Sequence, residues 1–490
     1  MTTNFQTTTN PVTTSRLPLR ALGAAALSAL ALTGCSADRL DITNPNSPTV
    51  AAAGSDPQAL QLQATGLLRQ MRNGRGGFIT STGRFGREAY VYTPQEGRNT
   101  SHYLIGLPGA NKLDPAGFAV ENWSAQYGNL RDIFNFKSSV TASTALSATQ
   151  KSAAQGFAKT LEALELLYVI STRDTLGLVV EIKQNASDLA AFVSRDSAYK
   201  YILNTLDDAS NNLASGGSAF PFTLHSGFAG FNTPTTFRQF NRAIAARAAA
   251  YYATSGGGTT AWQRALTALG ASFMNTGAST RAALDVGPAH PYSSASGDSN
   301  NPLAAATNTD LYAHMSIQAD AQRKSNGDPD DRYTAKIASR PNRSAPQGLG
   351  VASSLGFNHY PAVTSSIPII RNEELLLLRA EAQLATGDKA GAVTTVNLIR
   401  TVSGGLAASS LTAGSSDADI LTEILYNKRF SLLLEGHRWI DMRRYGRLGQ
   451  LPLDITSGTN THFVARVQPI PQSECLVRAG KSGALAGPGC

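Results

Sequence analysis

The chain has 490 residues, of which 42% are hydrophobic and 16% charged, and its formal net charge is +8. This length suits one large domain or several ordinary ones. Lys and Arg are spread along the chain, so the sequence lacks the concentrated basic face of nucleic-acid-binding proteins, and we expect no nucleic-acid partner. Its three cysteines are too few to form a disulfide scaffold for a chain of this size.

The first patterned segment is typical of an exported lipoprotein. An apolar run over residues 21–32 follows two arginines and ends in Thr33-Gly34-Cys35. A basic region, a short apolar region and small residues before the cleavage point are typical of a secretory signal, and the run is shorter than the roughly 20 residues of a membrane span. We expect residues 1–34 to be removed and Cys35 to carry acyl chains such as palmitate. The alternative is a buried N-terminal helix with an incidental cysteine.

Beyond this signal the chain is mainly helical in pattern. Residues 35–56, rich in Pro and polar residues, predict an extended tether behind the lipid. Apolar residues then recur with the period of helices. The predicted helices are Gln58 to Arg72, Ala119 to Ser139, Ala145 to Ser171, Ser197 to Leu213, Thr235 to Thr254, Thr260 to Met274, Asn372 to Thr386, Lys389 to Val402 and Asp417 to Glu435. Strand-like runs are few and short.

Two stretches rich in Gly, Ser, Asn and Pro, residues 74–118 and 275–367, predict irregular loops. We therefore expect a single domain over residues 57–490. Its helix pairs occupy about residues 57–274 and 368–446, and the two loop-rich stretches are inserts.

The helix pair in residues 372–402 has the clearest turn. Its apolar stripe stops at Thr386-Gly387-Asp388 and then resumes. Gly387 suits a helix C-terminal cap and Asp388 the next N-cap. Small residues along the seam predict a tight antiparallel hairpin like a tetratricopeptide unit. A second pair, residues 197–213 and 235–254, has its own alanine seam. The sequence thus predicts an all-α scaffold of helix pairs whose inserts carry recognition.

Motifs of common catalytic centres are missing from the sequence. It contains no His-Glu-x-x-His, Gly-x-Ser-x-Gly or Cys-x-x-Cys, and its seven histidines are scattered. Glu435 and His437 could act as an acid and a base, but they adjoin an apolar face and suit a structural role better. The acidic loop at Asp330-Asp331-Arg332 suits an Asp–Arg pair better than calcium. We predict no catalytic residue, no metal, no cofactor and no enzymatic activity.

One run, EGHRWIDMRRYG over residues 435–446, is the most distinctive part of the chain. Other motifs occur in a fixed order around it: NPN at 44–46, WSAQY at 123–127, DDR at 330–332, IPIIRNEE at 367–374, LRAEA at 378–382, NLIR at 397–400 and PIPQSE at 469–474. In this order, and with the Cys35 box, they resemble the SusD/RagB family of nutrient-binding outer-membrane lipoproteins.

The resemblance implies an α-helical protein with about four tetratricopeptide-like helix pairs and a loop-rich binding face. It implies a lipid-anchored protein at the cell surface, on the outer membrane, that forms a lid on a SusC-like TonB-dependent transporter. Such a protein captures an oligosaccharide, or in some members a peptide, and passes it on without chemical change. A surface-anchored glycoside hydrolase and a peptide-binding member are the alternatives.

Candidate ligand contacts follow from the chemistry of sugars, whose C–H faces stack on aromatic rings and whose hydroxyls pair with planar polar groups. The candidates in the two inserts are Tyr90, Tyr92, Arg98, Asn99, His102, Tyr103, Tyr292, Tyr312, Tyr333, His359 and Tyr360. Trp123, Trp262 and Trp439 fall in predicted helices, and we expect them in the core. Cys475 and Cys490 could form a disulfide or remain free.

Overall fold

Helices dominate the structure, as the apolar periodicity predicts. The computed structural model describes residues 56–108, 113–185 and 187–490, so the predicted signal, Cys35 and nearly all of the tether lie outside the described residues. The α-helices within these ranges are α1 (Pro57–Phe85), α2 (Arg98–Leu104), α3 (Ser124–Ala142), α4 (Ala148–Arg173), α5 (Arg195–Ala214), α6 (Pro234–Tyr252), α7 (Gly258–Gly270), α8 (Arg281–Leu284), α9 (Ser316–Ala319), α10 (Asp331–Lys336), α11 (Asn372–Ala385), α12 (Lys389–Val402), α13 (Asp417–Ser431), α14 (Arg438–Arg444) and α15 (Gln472–Val477).

Consecutive helices pack against each other and build the predicted scaffold of helix pairs. Helix α3 packs on α4, α5 on α6, and α11 on α12, while α7 and α13 both contact α11. The turn between α11 and α12 has the predicted chemistry. Gly387 adopts a φ of +90°, which glycine reaches without steric cost, and the Asp388 carboxylate accepts a hydrogen bond from Gly391 N at 2.9 Å. The prediction of a helix hairpin here is confirmed.

Helix α1 is longer than we expected from the sequence. Its N-cap is Asp56, whose Oδ1 accepts from Gln58 N at 2.8 Å, and it continues to Phe85. We predicted an end at Arg72 and a loop from residue 74, and this was wrong. Phe78, Ile79 and Phe85 are buried in the core, and their burial outweighs the cost of about 1 kcal/mol that each helical glycine carries.

The eight strands in the described ranges are short. They are β1 (Ala89–Val91), β2 (Leu178–Val179), β3 (Phe192–Val193), β4 (Ala289–His290), β5 (Leu311–Ala313), β6 (Ile337–Ser344), β7 (Ala352–Phe357) and β8 (Ile367–Pro368). Four of them form an antiparallel sheet in the order β1-β5-β7-β6. The sequence did not predict the β6–β7 hairpin. A register shift between Ser339 and Arg343 accommodates Pro341, which has no N–H for the ladder.

The core lies mainly between the helices. All three tryptophans are buried, at 5%, 6% and 0% exposure for Trp123, Trp262 and Trp439, which confirms their predicted place. Of the helices that the structure describes, none combines the length and the apolarity needed to cross a membrane.

Candidate ligand-binding cleft

A cleft of about 700 Å³ opens between three segments that are far apart in the sequence. One wall is α1, at Asn73, Gly74 and Gly77. The second is the loop over residues 115–123 with the first turn of α3. The third comes from residues 471–473, at the start of α15. Two glycines of α1 face the cleft without side chains, which leaves room for a ligand.

Polar and apolar side chains both line the cleft. The polar ones are four carboxamides, two hydroxyls and a carboxylate: Asn73, Asn122, Gln126, Gln472, Ser124, Ser473 and Glu121. The apolar ones are two aromatic rings and five smaller side chains: Phe118, Trp123, Pro115, Ala116, Val120, Ala125 and Pro471. Carboxamides and hydroxyls both donate and accept hydrogen bonds, and aromatic rings offer apolar faces. This combination suits a ligand with many hydroxyl groups and C–H faces.

A buried arginine fixes the shape of the loop wall. Arg173, the last residue of α4, is fully buried. Its Nη2 donates to Val120 O at 2.8 Å, and its Nη1 donates to Glu121 O at 2.9 Å and to Asn122 O at 3.3 Å. Hydrogen bonds from a charged donor are stronger than neutral ones. One guanidinium therefore holds three successive carbonyls of the wall.

Asn122 turns the chain at the base of the cleft. Its φ is +68°, a conformation that Asn tolerates better than most residues. Its Nδ2 donates to Ser81 Oγ at 2.8 Å and to Gln468 Oε1 at 3.1 Å. Gln468 Oε1 also accepts from Arg173 Nη1 at 2.8 Å. This network fixes the chain where it enters α3 and places Trp123 and Gln126 beside the cleft.

Phe118 is held from behind by residues of the first predicted insert. The Tyr103 hydroxyl donates to Phe118 O at 2.6 Å, and His102 Nδ1 accepts from Phe118 N at 3.3 Å. The Arg98 guanidinium lies 4.7 Å from the centre of the Phe118 ring. Arg98, His102 and Tyr103 therefore position an aromatic ring of the cleft and do not line the cleft themselves.

The third wall is braced by the C-terminal segment. Gln472 N donates to Pro115 O at 3.0 Å, which joins this wall to the loop. Cys475 and Cys490 form a disulfide, so of the two states open from the sequence the structure shows the paired one. Arg478 bonds Glu474 at 2.7 Å and lies 4.7 Å from the centre of the Phe192 ring, which ties the segment to β3.

Comparison with known proteins shows which family the C-terminal region matches and which structures share the fold. Residues 360–468 match the model of the SusD family, whereas no curated protein is significantly similar to the chain in sequence. A SusD superfamily protein from Bacteroides vulgatus ATCC 8482 has a similar structure, with a TM-score of 0.62 at 14% identity over 89% of this chain and 98% of that chain.

Two surface glycan-binding proteins A are similar in structure as well. The protein from Bacteroides fluxus gives a TM-score of 0.64 at 15% identity, covering 89% of this chain and all of that chain. The protein from Bacteroides thetaiotaomicron, solved in complex with laminarihexaose, gives 0.64 at 11% identity, covering 88% and 99%. The C-terminal region therefore matches the SusD family, and the fold of the chain is that of SusD-like proteins. The all-α scaffold of tetratricopeptide-like helix pairs is shared with those structures.

The SusD-family run EGHRWIDMRRYG lies in a buried ion-pair network. Glu435 Oε1 is 2.9 Å from Arg371 Nη2 and 3.5 Å from Lys336 Nζ. Burial acts to raise the pKa of Glu435, but these two cations hold it well below its usual range. His437 Nδ1 is 3.2 Å from the Tyr251 hydroxyl, and both signature side chains are buried. The geometry supports the structural role that we preferred for Glu435 and His437.

The Asp330 carboxylate pairs with Arg332, with Nη2 and Oδ2 2.6 Å apart. This confirms the preferred interpretation of the acidic loop. Across residues 56–108, 113–185 and 187–490, no three His, Cys, Asp or Glu side chains are grouped to hold a metal ion.

The predicted ligand tyrosines are mostly covered by core packing. Six of the seven are buried: Tyr90, Tyr92, Tyr103, Tyr292, Tyr312 and Tyr360. Tyr90 and Tyr92 stack with ring centres 5.2 Å apart, and Tyr312 packs on Tyr92 beside them. None of the six lines the cleft. Packing within the small sheet and the core covers most of each ring, and contact of these rings with a ligand stays a prediction.

The remaining predicted residues are more exposed but lie outside the cleft. Arg98 pairs with Glu96, Asn99 Nδ2 donates to Thr93 Oγ1 at 3.0 Å, and His359 Nε2 is 3.5 Å from Glu435 Oε1. Tyr333 is half-buried. Their contact with a ligand stays a prediction.

Sequence reasoning missed most of the cleft. The WSAQY motif at residues 123–127 and the PIPQSE motif at residues 469–474 together contain seven of its lining residues, but they pointed to them only as family features. Nothing in the sequence indicated that Gln472 lies opposite Asn73, because that proximity arises only from the packing of distant segments.

Proposed function

We propose that this protein binds a carbohydrate in the cleft and releases it chemically unchanged. The observation that carries the proposal is the lining of the cleft, in which carboxamides, hydroxyls and the partly exposed Phe118 ring surround one volume on a SusD-like fold. Solved proteins of this fold are named for glycan and laminarin binding, which supports the same ligand class here.

The site favours binding over hydrolysis. A glycosidase needs two carboxyl groups on opposite sides of the scissile bond, about 5–10 Å apart. Among the described residues that line the cleft, Glu121 is the one carboxylate. A peptide that binds by strand addition would need a sheet edge. The walls of this cleft are instead α1, residues 115–126 and residues 471–473, none of which is a strand.

Titration calorimetry on the purified mature protein tests the proposal. We expect heats of binding with at least one member of a panel of neutral oligosaccharides, and chromatography of the mixture should recover that oligosaccharide intact. Phe118→Ala should weaken binding about tenfold, because stacking on an aromatic ring contributes about 1 kcal/mol. Leu62→Ala is the matched control, since Leu62 is exposed on α1 and lies outside the cleft.

Two results would overturn the proposal. Release of shorter products would favour the glycoside hydrolase. Binding of oligopeptides with no response to any oligosaccharide would favour the peptide-binding alternative.

We further propose that Cys35 carries a lipid anchor, that the protein sits on the outer surface of the outer membrane, and that a SusC-like TonB-dependent transporter receives the ligand. The Cys35 box and the match to the SusD family support this arrangement. Purification in mild detergent tests the partner: a large barrel protein should co-purify, and repeated recovery without one would contradict the hand-off.

A further inference from the structure

The cleft contains a single full charge within the part of the chain that the structure describes. Its lining includes Glu121 but neither Lys nor Arg. The Glu121 side chain is 38% exposed, so its field reaches the cleft. Arg98, which lies beside Phe118, is already paired with Glu96, with Nε and Oε1 2.7 Å apart.

The cation nearest to Glu121 neutralises it only in part. Arg84 Nη2 is 3.7 Å from Glu121 Oε1, beyond the usual distance for a hydrogen bond. The other nitrogens of Arg84 donate to Thr80 O at 3.2 Å and to Asn99 O at 3.1 Å, and its guanidinium lies 3.6 Å from the centre of the Tyr103 ring. Arg84 is therefore held in place by groups other than Glu121.

The second carboxylate oxygen of Glu121 is covered but unsatisfied. Glu121 Oε2 has no hydrogen-bond partner within the described ranges. It faces Gly77, where an added Cβ would lie 3.7 Å away, and this position has no side chain that could donate to it. Burial raises the pKa of Glu121, and Arg84 and the Tyr103 hydroxyl both oppose this rise. A charge that is partly removed from water acts more strongly on its surroundings than a hydrated one.

We propose that Glu121 makes the cleft select neutral and amino sugars and reject uronic acids. This inference rests on the proposed carbohydrate function and names the class of sugar. A ligand carboxylate in the cleft would meet a like charge with no lining cation to compensate it. A ligand hydroxyl would meet carboxamides and hydroxyls that can both donate and accept, and a ligand ammonium would be attracted to Glu121. Unpaired like charges are a common means of rejecting a wrong partner.

The test compares each neutral hexasaccharide of glucose, mannose and galactose with the same hexasaccharide oxidised to the uronate at C6. Binding to the mature protein is measured by calorimetry at 50 mM and 500 mM NaCl. At low salt the neutral form should bind at least about tenfold more tightly than its uronate, as expected for one repulsion of about 1.4 kcal/mol. High salt should narrow this ratio, because added ions screen the repulsion.

Glu121→Gln is the variant that assigns the effect to this residue. It keeps the size of the side chain and removes the charge, so the ratio of neutral to uronate affinity should fall towards one. Asp208→Asn is the matched control: it changes the net charge by the same amount on α5, outside the cleft, and the ratio should stay as in the wild type. The chitosan hexamer should lose affinity in Glu121→Gln relative to cellohexaose.

The outcomes separate this inference from the function on which it rests. Uronates that bind the wild type as tightly as their neutral counterparts, or a ratio unchanged by Glu121→Gln, would overturn the selectivity and leave carbohydrate binding standing. If neither the neutral nor the charged sugars bind, the proposed function fails and the selectivity fails with it.

Discussion

Gly76 and Gly77 are neighbours on α1 with opposite surroundings. An added Cβ at Gly76 would come within 2.5 Å of Pro302 Cγ, whereas one at Gly77 would find only Glu121 Oε2 at 3.7 Å. The first glycine is required by packing against the second insert. No packing contact requires a glycine at position 77, and the missing side chain leaves space in the cleft.

Alanine substitutions at Gly76 and Gly77 should therefore change the free energy of unfolding in opposite directions. We expect Gly76→Ala to lower the free energy of unfolding by about 1–3 kcal/mol through overpacking, and Gly77→Ala to raise it by about 0.5–1 kcal/mol through helix propensity. Urea unfolding of the two variants measures both. Equal effects at the two positions would show that Pro302 does not limit Gly76.

A buried carboxyl group links stability to pH. Burial raises the pKa of Glu165 to about 8, partly offset by Asn129, whose Nδ2 donates to Glu165 Oε1 at 2.8 Å. Between the ordinary value of 4.5 and about 8, the folded protein holds a proton that the unfolded chain releases. Stability contributed by this group is therefore lost as pH rises through that window, and it is constant above it.

Glu165→Gln should remove this loss. We expect the variant to be more stable than the wild type by about 3 kcal/mol at pH 7, with the difference vanishing near pH 4.5. Thermal unfolding followed from pH 4 to pH 9 gives both curves. Parallel curves would mean that Glu165 is ionised in the folded protein.

Side-chain chemistry alone gave a partial picture of the site. Tyr and Trp were the natural candidates for a sugar platform, yet their large apolar rings also stabilise the core, and the structure buries six of the predicted tyrosines. The carboxamides at residues 73 and 122 had no local signal, because Asn and Gln are common on any surface. Those at residues 126 and 472 lie in family motifs that did not mark them as ligand contacts. Only their convergence on one cleft distinguishes them.

At the scale of elements, the sequence predicted helices well where caps and periodicity agree. Helix α12 has the predicted ends, Lys389 and Val402, because Asp388 caps it and its apolar stripe is regular. The end of α1 was missed because Gly74, Gly76 and Gly77 suggested a loop. The β6–β7 hairpin was missed because Pro341 disfavours a regular strand.

The C-terminal segment offers a test at this scale. The Cys475–Cys490 disulfide closes a loop with a sequence separation of 15, and the residues just before it form one wall of the cleft. In the double variant Cys475→Ser, Cys490→Ser, we expect oligosaccharide affinity to fall by about threefold or more, because the wall must then be ordered on binding. Stability should fall by at most about 3 kcal/mol on the loop-closure model.

Calorimetry with and without a reductant supplies the control. Reductant should weaken binding by the wild type and leave the double variant unchanged. Equal affinity of the wild type in both conditions would show that Arg478 and Pro115 hold the wall without the disulfide.

At the scale of the whole molecule, the order of the motifs predicted the fold better than any single motif did. The run at residues 435–446 forms buried ion pairs with Lys336 of α10, with Arg371 just before α11 and with Lys428 of α13. These pairs hold distant segments together. That explains how a family resemblance gave the fold while it said little about the cleft, whose walls come from α1, residues 115–126 and residues 471–473.

The proposed anchor can be tested on the intact protein. Cys35→Ala should leave the fold unchanged, since the described domain begins after the tether, and it should release the protein from membranes, because two or more acyl chains are needed for stable attachment. Fractionation of cells followed by circular dichroism of the released protein measures both effects. Membrane association that persists in Cys35→Ala would refute the lipoprotein assignment.

The hydrogen bonds from Arg173 to the loop also affect how the ligand preference of this surface could change. All three of its bonds to residues 120–122 end on backbone oxygens, which every amino acid carries. Substitutions of the side chains at positions 118, 120 and 121 would thus leave this support in place. The wall can acquire a new ligand preference through its outward side chains while its inherited shape persists, which makes it a suitable starting point for directed changes of specificity.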